Sequence, residues 1–507
     1  MTTINPLIFR AYDIRGIAQV QKGEAGSAPI LPDLTKQTAY LIGKATATYL
    51  IKTYNAKHMV VGRDMRNSSP TLQTAFIDGV LECGLCVTDI GLATSPMVYF
   101  ATCFEEYDFD CGVNITASHN PKEYNGIKIV ANLPGKPYTA HSVCGNELQK
   151  ILKIAQSGEA QNAKTKPSRF HKPKLPGRLE GLDVWPAYRD RLLQAVPKLN
   201  PKLKKPLKVV VDAGNGAAGP FIPELLRKIG AEVIELYCEP DGNFPNHEAN
   251  PEELRNMQAL IRKVKQTKAN LGIGFDGDGD RIGIIDELGN HYSADYFLLF
   301  LAKDIVARTK TATTKTYATK PKIVTDIKFS QAILNQLKTI GTEPIMCKVG
   351  HSFIEQKVAE EGAILGGEVS GHMYVAEDYY GFDDAFLASA KILEALSRSN
   401  LPFSAQFANL PKTYMTPEFK AHCPDDKKFE IVKKLVAHFT KLYDCITIDG
   451  VRIVFGPLAW GAIRASNTSP NLTLRFEAET PERLAEVQKI MYEEISKYKE
   501  VDLSWHK

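Results

Sequence analysis

Two short stretches of this 507-residue chain combine residue types that do chemistry. Thr116-Ala117-Ser118-His119-Asn120-Pro121 follows the apolar run Cys111-Gly112-Val113-Asn114-Ile115. A buried strand ending in small and polar residues puts a serine hydroxyl at the C-terminal edge of a sheet, where ligands of α/β folds bind. With His119 beside the hydroxyl and Pro121 stiffening the exit, Ser118 is placed as a nucleophile or as the carrier of a covalently held group. The second stretch, Asp276-Gly277-Asp278-Gly279-Asp280-Arg281, lies between two strand-like runs, 271–274 and 282–285. Alternating carboxylates with glycines between them wrap three oxygens around one hard cation, and without a cation they repel. An EF-hand is the competing reading, because Glu287 falls twelfth when Asp276 is counted first. Arg281 then occupies the sixth position, where the EF-hand turn needs glycine, and the flanks are strands. The preferred reading is Mg²⁺ with positions open to a phosphate oxygen, and Arg281 directed at the same anion.

Other loops carry weaker signals. Gly366-Gly367-Glu368-Val369-Ser370-Gly371-His372 offers a carboxylate and a hydroxyl to vicinal hydroxyls of a sugar, although alone it also reads as a structural turn. Arg464-Ala465-Ser466-Asn467-Thr468-Ser469-Pro470 gathers a guanidinium, hydroxyls and turn amides into a phosphate nest; Asn467 and Ser469 are also ordinary turn formers. Tyr12 and Arg15 precede Gly16, and Lys128 lies ten residues after Ser118, within reach of it from a neighbouring strand. Lys348, Gly350 and His351 precede a helix start at Ser352, where a lone histidine usually serves as a cap or surface residue.

The elements that must position these residues repeat. A short apolar strand, a polar or glycine ending, an amphipathic helix and a closing glycine occur from His58, from Lys208 and from Lys322. Strands alternating with helices predict βαβ units and mostly parallel sheets. The last hundred residues differ: helices over 427–443 and from Thr480 to Tyr498 flank strand-like runs, two of them (445–448 and 451–455) joined by Asp449-Gly450, a hairpin signal. The expected fold is therefore three related α/β domains with mixed, mostly parallel sheets, followed by a C-terminal α+β domain. Lys-, Pro- and Ser-rich 156–179 and the Thr/Lys tract 309–322 read as linkers or surface loops. Domain boundaries are expected at 1–178, 179–290, 291–411 and 412–507.

Composition narrows the function classes. Hydrophobic content of 44%, charged content of 24% and a net charge of +4 are those of a soluble globular protein, and give no support to nucleic-acid or membrane-surface binding. The best apolar run, Tyr296 to Ala307, is broken by Lys303 and Asp304, and the first ten residues lack a secretory pattern, so the cytoplasm is the expected compartment. Nine irregularly spaced cysteines predict reduced thiols, including Cys83 and Cys86.

In combination and order, these motifs resemble the α-D-phosphohexomutase superfamily, and within it the phosphomannomutase/phosphoglucomutase branch, over essentially the whole chain. The resemblance implies four domains around a central cleft. It implies that Ser118 carries a phosphoryl group at rest, that Asp276, Asp278 and Asp280 hold one Mg²⁺ with that phosphate, and that a hexose 1,6-bisphosphate is the intermediate and activator. Glu368 and Ser370 would contact sugar hydroxyls. Arg464, Ser466, Asn467 and Thr468 would bind the non-reacting phosphate. Tyr12, Arg15, Lys128, Arg281, Lys328, Gly350 and His351 would line the cleft, with Lys128 and His351 as proton-transfer positions, Lys128 discharged by cationic neighbours, and His119 beside the phosphoserine. The partner would be a phosphosugar, and the chain a monomer or homodimer. Extra residues near Gln19 to Leu31 and in 309–322 interrupt no motif.

Three alternatives remain at this stage. A phosphoglucosamine mutase shares the serine and metal motifs, although its sugar loop typically has Gln-Ser where this chain has Val369-Ser370. A metal-dependent phosphatase would release inorganic phosphate. A Ca²⁺-binding module would use Asp276 to Glu287 without any phosphoserine.

Overall fold

Cys111–Ile115 is a strand buried along its whole length, inside a seven-stranded sheet. In the computed structural model, which describes residues 4–21, 29–133, 136–157, 177–196, 198–311, 319–467 and 469–506, this strand lies parallel to His58–Arg63 and antiparallel to Tyr124–Leu133. Register pairs Asn114 with Lys128, which brings the lysine back beside the strand that leads into Ser118. Ile14–Ile17 adds to the far edge of Tyr124–Leu133 and delivers Arg15. Helices Lys36–Tyr54 and Ser69–Glu82 bury Leu41, Ile42, Phe76 and Val80 against Val61 and Val113, so apolar burial fixes the sheet that carries the serine loop.

The acidic loop belongs to a second, five-stranded sheet. Leu271–Phe275 runs parallel to Lys208–Asp212 and antiparallel to Ile282–Asp286, with Phe275 opposite Ile282. Both strands are buried throughout, so residues 276–281 form the tip of a hairpin rooted in the core.

The chain divides into two compact units, Met1–Ser293 with Ser370–Ser404, and Ala294–Val369 with Ala405–Lys507. Both sheets above lie in the first. In the second, Lys322–Asp326 is parallel to Glu343–Cys347 and to Leu365–Gly367, and a six-stranded antiparallel sheet follows, built on Trp460–Ala465 and Asn471–Ala478. The fold is α/β, as the alternating pattern predicts, with an α+β C-terminal part.

Several boundaries differ from the sequence reading. The strand before Asp449-Gly450 ends at Ile446, so four residues and not two close that hairpin. Asp449 is engaged by other partners, described below, which draws it out of the ladder. The last helix is Pro481–Ile495, capped by Thr480, and stops before Tyr498. All nine cysteines are free thiols. Among the described residues no helix is long and apolar enough to cross a membrane. The extra segment near 19–31, the 156–179 linker and the 309–322 tract lie partly outside the described residues, and Thr468 lies outside them.

Candidate active site

Ser118 is buried and has a φ of +52°, a left-handed conformation that L-residues seldom adopt and that functional loops hold by over-determining contacts. Its amide donates to Thr116 Oγ1 at 2.9 Å, and its carbonyl accepts from Arg66 Nη2 at 2.8 Å. Its hydroxyl donates to Asp276 Oδ2 at 2.8 Å and lies 3.1 Å from His119 Nδ1. Shielding from water, with Arg281 and Arg15 nearby, pushes the His119 imidazole well below its ordinary pKa, so the ring is neutral. Arg15 reaches the same loop through Asn120 Oδ1 at 3.0 Å and is paired with Asp13. Tyr12 precedes the Arg15 strand and is half-buried.

The three aspartates are fully buried, with ligand oxygens within 4.8 Å of one another. Asp276 Oδ1 accepts from the amides of Asp280 and Arg281 at 3.1 and 3.2 Å, which curls the hairpin tip around its own carboxylate. Asp278 Oδ2 accepts from Ser95 Oγ at 2.7 Å and from Lys128 Nζ at 2.8 Å; Lys128 also pairs with Asp280. Burial, then Asp280 and Asp278, push the Asp276 carboxyl well above the usual range. Two buried oxygens, Asp278 Oδ1 and Asp280 Oδ1, have no hydrogen-bond partner among the described residues. Hard carboxylate oxygens left without a hydrogen bond in a buried site fit a hard divalent cation.

Lys128 differs from expectation. Burial opposes its charge, but Asp278 and Asp280 outweigh burial and hold the ammonium protonated. Asp278 and Asp280 thus favour the charged form of Lys128, against the discharge expected from its cationic neighbours. Asp278 and Asp280 are 150 and 152 residues from Lys128 in sequence, and only the fold puts their carboxylates against it.

A histidine with no assigned individual role completes this group. His372 is buried, with Nδ1 2.7 Å from Asp383 Oδ2 and Nε2 accepting from Arg281 Nε at 2.8 Å. Arg281 thus spans His372 and Asp276, whose Oδ2 is 3.9 Å away. The backbone of Gly371, φ +109°, sits against Ile282, where an added Cβ would lie 2.5 Å from the Ile282 oxygen. His372 was legible only as part of a glycine-rich turn, and Asp383 carried no local signal. Asp64 and Arg66 follow the strand His58–Arg63 as its polar ending, a signal of the same kind as the one that marked Ser118.

The second unit assembles another set. Asp326, at the end of its strand, accepts from the amides of Lys328 at 2.5 Å and Val369 at 2.9 Å, so one carboxylate sets the Lys328 loop and the Glu368 turn. Lys328 Nζ pairs with Glu418 at 2.6 Å. Asp449 Oδ2 accepts from Arg464 Nε at 2.7 Å and from the Val349 amide at 3.1 Å, tying Arg464 to the turn before Gly350 and His351. Helix His351–Glu361 starts there, with Gly350 at φ +135°. Ser466 Oγ is 2.9 Å from Ser469 Oγ in a turn that also contains Asn467. Glu368 Oε2 in this unit, and Ser370 Oγ in the first, are buried without a hydrogen-bond partner among the described residues, as expected of groups that meet a ligand.

The chain matches the phosphoglucomutase/phosphomannomutase family in four consecutive segments: α/β/α domain I over residues 6–153, domain II over 186–289, domain III over 293–414 and the C-terminal domain over 418–494. It is 36% identical over 490 residues to the phosphomannomutase/phosphoglucomutase of Pseudomonas aeruginosa, covering 96% of this chain and 95% of that protein. This chain belongs to the phosphoglucomutase/phosphomannomutase family. The phosphoglucomutase of Neisseria gonorrhoeae is also 36% identical, over 494 residues and 96% of each chain. A crystal structure of a phosphoglucomutase/phosphomannomutase family protein from Burkholderia thailandensis superposes with a TM-score of 0.81 at 32% identity, covering 98% of both chains. The acidic loop and the serine loop lie in the segments matching domains II and I of the family.

Proposed function

We propose that this chain is a phosphohexomutase that interconverts hexose 6-phosphate and hexose 1-phosphate, with mannose and glucose phosphates as substrates. The observation that carries the reading is the Ser118 hydroxyl seated on Asp276, at the rim of a carboxylate cluster with two buried oxygens that lack a hydrogen bond and flanked by Lys128 and Arg281. Family membership supports it. The labour divides among four domains, with the phosphoserine in 1–178, the metal loop in 179–290, the sugar loop in 291–411 and the phosphate nest in 412–507.

Phosphoryl transfer is mostly positioning and neutralisation of charge. Asp276, Asp278 and Asp280 would hold one Mg²⁺, which when bound offsets the charge on the phosphoryl oxygens. Lys128 and Arg281 supply fixed positive charge at the same place. Phospho-Ser118 gives its phosphoryl group to the free hydroxyl of the sugar: the Ser118 Oγ–P bond breaks as the sugar O–P bond forms. The hydroxyl proton goes to His351, the proton-transfer position that the resemblance implies besides Lys128, because Asp278 and Asp280 favour the charged form of Lys128. Neutral His119 and Arg15 orient the phosphoserine loop. The resulting hexose 1,6-bisphosphate turns over and returns its other phosphoryl group to Ser118. Glu368 and Ser370 take sugar hydroxyls, while Arg464, Ser466, Asn467 and Thr468, with Lys328, Gly350, His351 and Tyr12, hold the substrate and its second phosphate. The enzyme works as a cytoplasmic monomer or homodimer.

The test is to assay glucose 1-phosphate, mannose 1-phosphate and glucosamine 1-phosphate side by side with Mg²⁺ and a hexose 1,6-bisphosphate, using wild-type protein and Ser118→Ala. Conversion of the glucose and mannose substrates, lost in Ser118→Ala, is expected. Preference for glucosamine 1-phosphate, net release of inorganic phosphate, or an active Ser118→Ala variant would overturn the reading.

A further inference from the structure

Arg66 is fully buried, and all five of its side-chain N–H groups are engaged. Nε donates to Asp64 Oδ2 at 3.0 Å. Nη1 donates to the carbonyls of Pro121 at 2.7 Å and Tyr124 at 3.1 Å, and Nη2 to those of Ser118 at 2.8 Å and Asn120 at 2.7 Å. One planar group therefore gathers three carbonyls of the loop that carries the serine and that of Tyr124, the first residue of the strand after it. Asp64 completes the brace from the other side: its Oδ2 also accepts from Thr116 Oγ1 at 2.8 Å, and Thr116 Oγ1 in turn accepts from the Ser118 amide. Both the amide and the carbonyl of Ser118 are thus held by a single buried ion pair, and Ser118 is the residue in that loop with positive φ. The outer face of the guanidinium is covered by the Phe244 ring, 5.3 Å from its centroid, while Asn67 donates to Asn243 at 2.9 Å. That packing keeps water away from the fork.

We infer that Arg66 is a positioning residue for phosphoryl transfer, holding the Ser118 loop in its left-handed conformation so that Oγ faces Asp276. The inference rests on the reading of Ser118 as the phosphoryl carrier. A strained backbone conformation persists only when its surroundings over-determine it, and four carbonyls converging on one cation do so. Lysine cannot replace this fork, because an ammonium offers three donors without planarity.

The experiment uses full-length wild type, Arg66→Ala, Arg66→Lys and Thr116→Val. Each is incubated with glucose 1,6-bisphosphate and Mg²⁺, and phosphoryl occupancy of Ser118 is read by mass spectrometry. Turnover of glucose 1-phosphate is then followed with and without guanidinium at a non-denaturing concentration, with sodium chloride as the control. Arg66→Ala should lose about 100-fold in kcat, the scale of an ångström-sized misplacement. Guanidinium, but not sodium chloride, should restore activity saturably. Arg66→Lys should lose nearly as much. Thr116→Val, the milder change, should lose roughly tenfold while keeping its melting temperature within a few degrees, as for one hydrogen bond, and it keeps the test open if Arg66→Ala does not fold. A folded Thr116→Val or Arg66→Ala with wild-type kcat and wild-type Ser118 occupancy would overturn the inference, as would losses that follow only the folded fraction and ignore guanidinium. A wild-type protein that takes no phosphoryl group at Ser118 and turns nothing over would instead remove the mutase reading itself.

Discussion

A Cβ on Gly277 would lie 2.4 Å from the carbonyl oxygen of Ser118. The two loops that matter most, 158 residues apart at Ser118 and Asp276, therefore meet backbone against backbone. Glycine between the aspartates serves this approach as well as the turn. The Ser118 carbonyl cannot retreat, because Arg66 holds it from behind. Gly277→Ala should cost about 1–3 kcal/mol, the usual range for overpacking, and should lower kcat beyond what the loss of folded protein explains. Urea denaturation together with kcat at saturating substrate decides it; a variant with unchanged midpoint and unchanged kcat would show that the contact constrains nothing.

Metal binding should release a proton. Burial and its two aspartate neighbours push the Asp276 carboxyl well above the usual range, so a cation binding there competes with a proton. Affinity for Mg²⁺ then rises with pH until Asp276 ionises in the metal-free protein, by at most about tenfold per pH unit for one proton. Calorimetric titration of chelator-treated protein in two buffers of different ionisation enthalpy measures the released proton directly. Equal apparent enthalpies in both buffers would refute the linkage.

How much of this was legible in the sequence depends on how far apart the partners lie. Ser118, the three aspartates and Arg281 announce themselves because each sits in a short stretch whose residue types have few other uses. The α/β pattern is legible because buried parallel strands have apolar centres, as Val209-Val210-Val211 in Lys208–Asp212 and Ile323-Val324 in Lys322–Asp326 do. The charge state of Lys128 was not legible. It depends on Asp278 and Asp280, 150 and 152 residues away, which only the packing of two sheets brings together. His372 and Asp383 were hidden for the same reason: their roles come from contacts with each other and with Arg281, and a histidine after a glycine says nothing of them. Arg66 is not legible although it follows a strand end, because its one side-chain partner, Asp64, is a near neighbour in sequence and its other four bonds go to backbone carbonyls, which carry no residue signal.

Stability should carry a pH signature from a buried carboxyl outside the reacting group. Asp384 caps helix Ala385–Arg398 and accepts from Tyr188 at 2.8 Å and Tyr379 at 3.0 Å, yet burial pushes its pKa up to about 6. Between about pH 4 and that value the native state holds a proton that the unfolded chain has lost. Stability from this group is therefore fullest below about pH 4 and falls as pH rises to about 6, by ~3 kcal/mol at most. Asp384→Asn should flatten that part of the profile. Urea midpoints of both proteins across the window give the comparison, and identical slopes would remove Asp384 as the cause.

Asp449 offers a way to separate binding from chemistry. Its carboxylate fixes Arg464 at 2.7 Å and the Val349 amide at 3.1 Å, all within the second unit, whereas the serine loop and the acidic loop belong to the first. If Arg464 holds the phosphate that does not react, it binds ground state and transition state alike, and loosening it should raise KM with little change in kcat. A hydrogen bond to a charged group contributes about 1.5–3 kcal/mol, so Asp449→Ala should raise KM for glucose 1-phosphate roughly tenfold or more. Asp449→Asn keeps an acceptor oxygen but loses the charge, and should fall between Asp449→Ala and wild type. Steady-state kinetics on the three proteins makes the distinction: a fall in kcat with KM unchanged would mean that Arg464 acts on the transferring phosphoryl group, and the division of labour proposed for the two phosphates would be wrong.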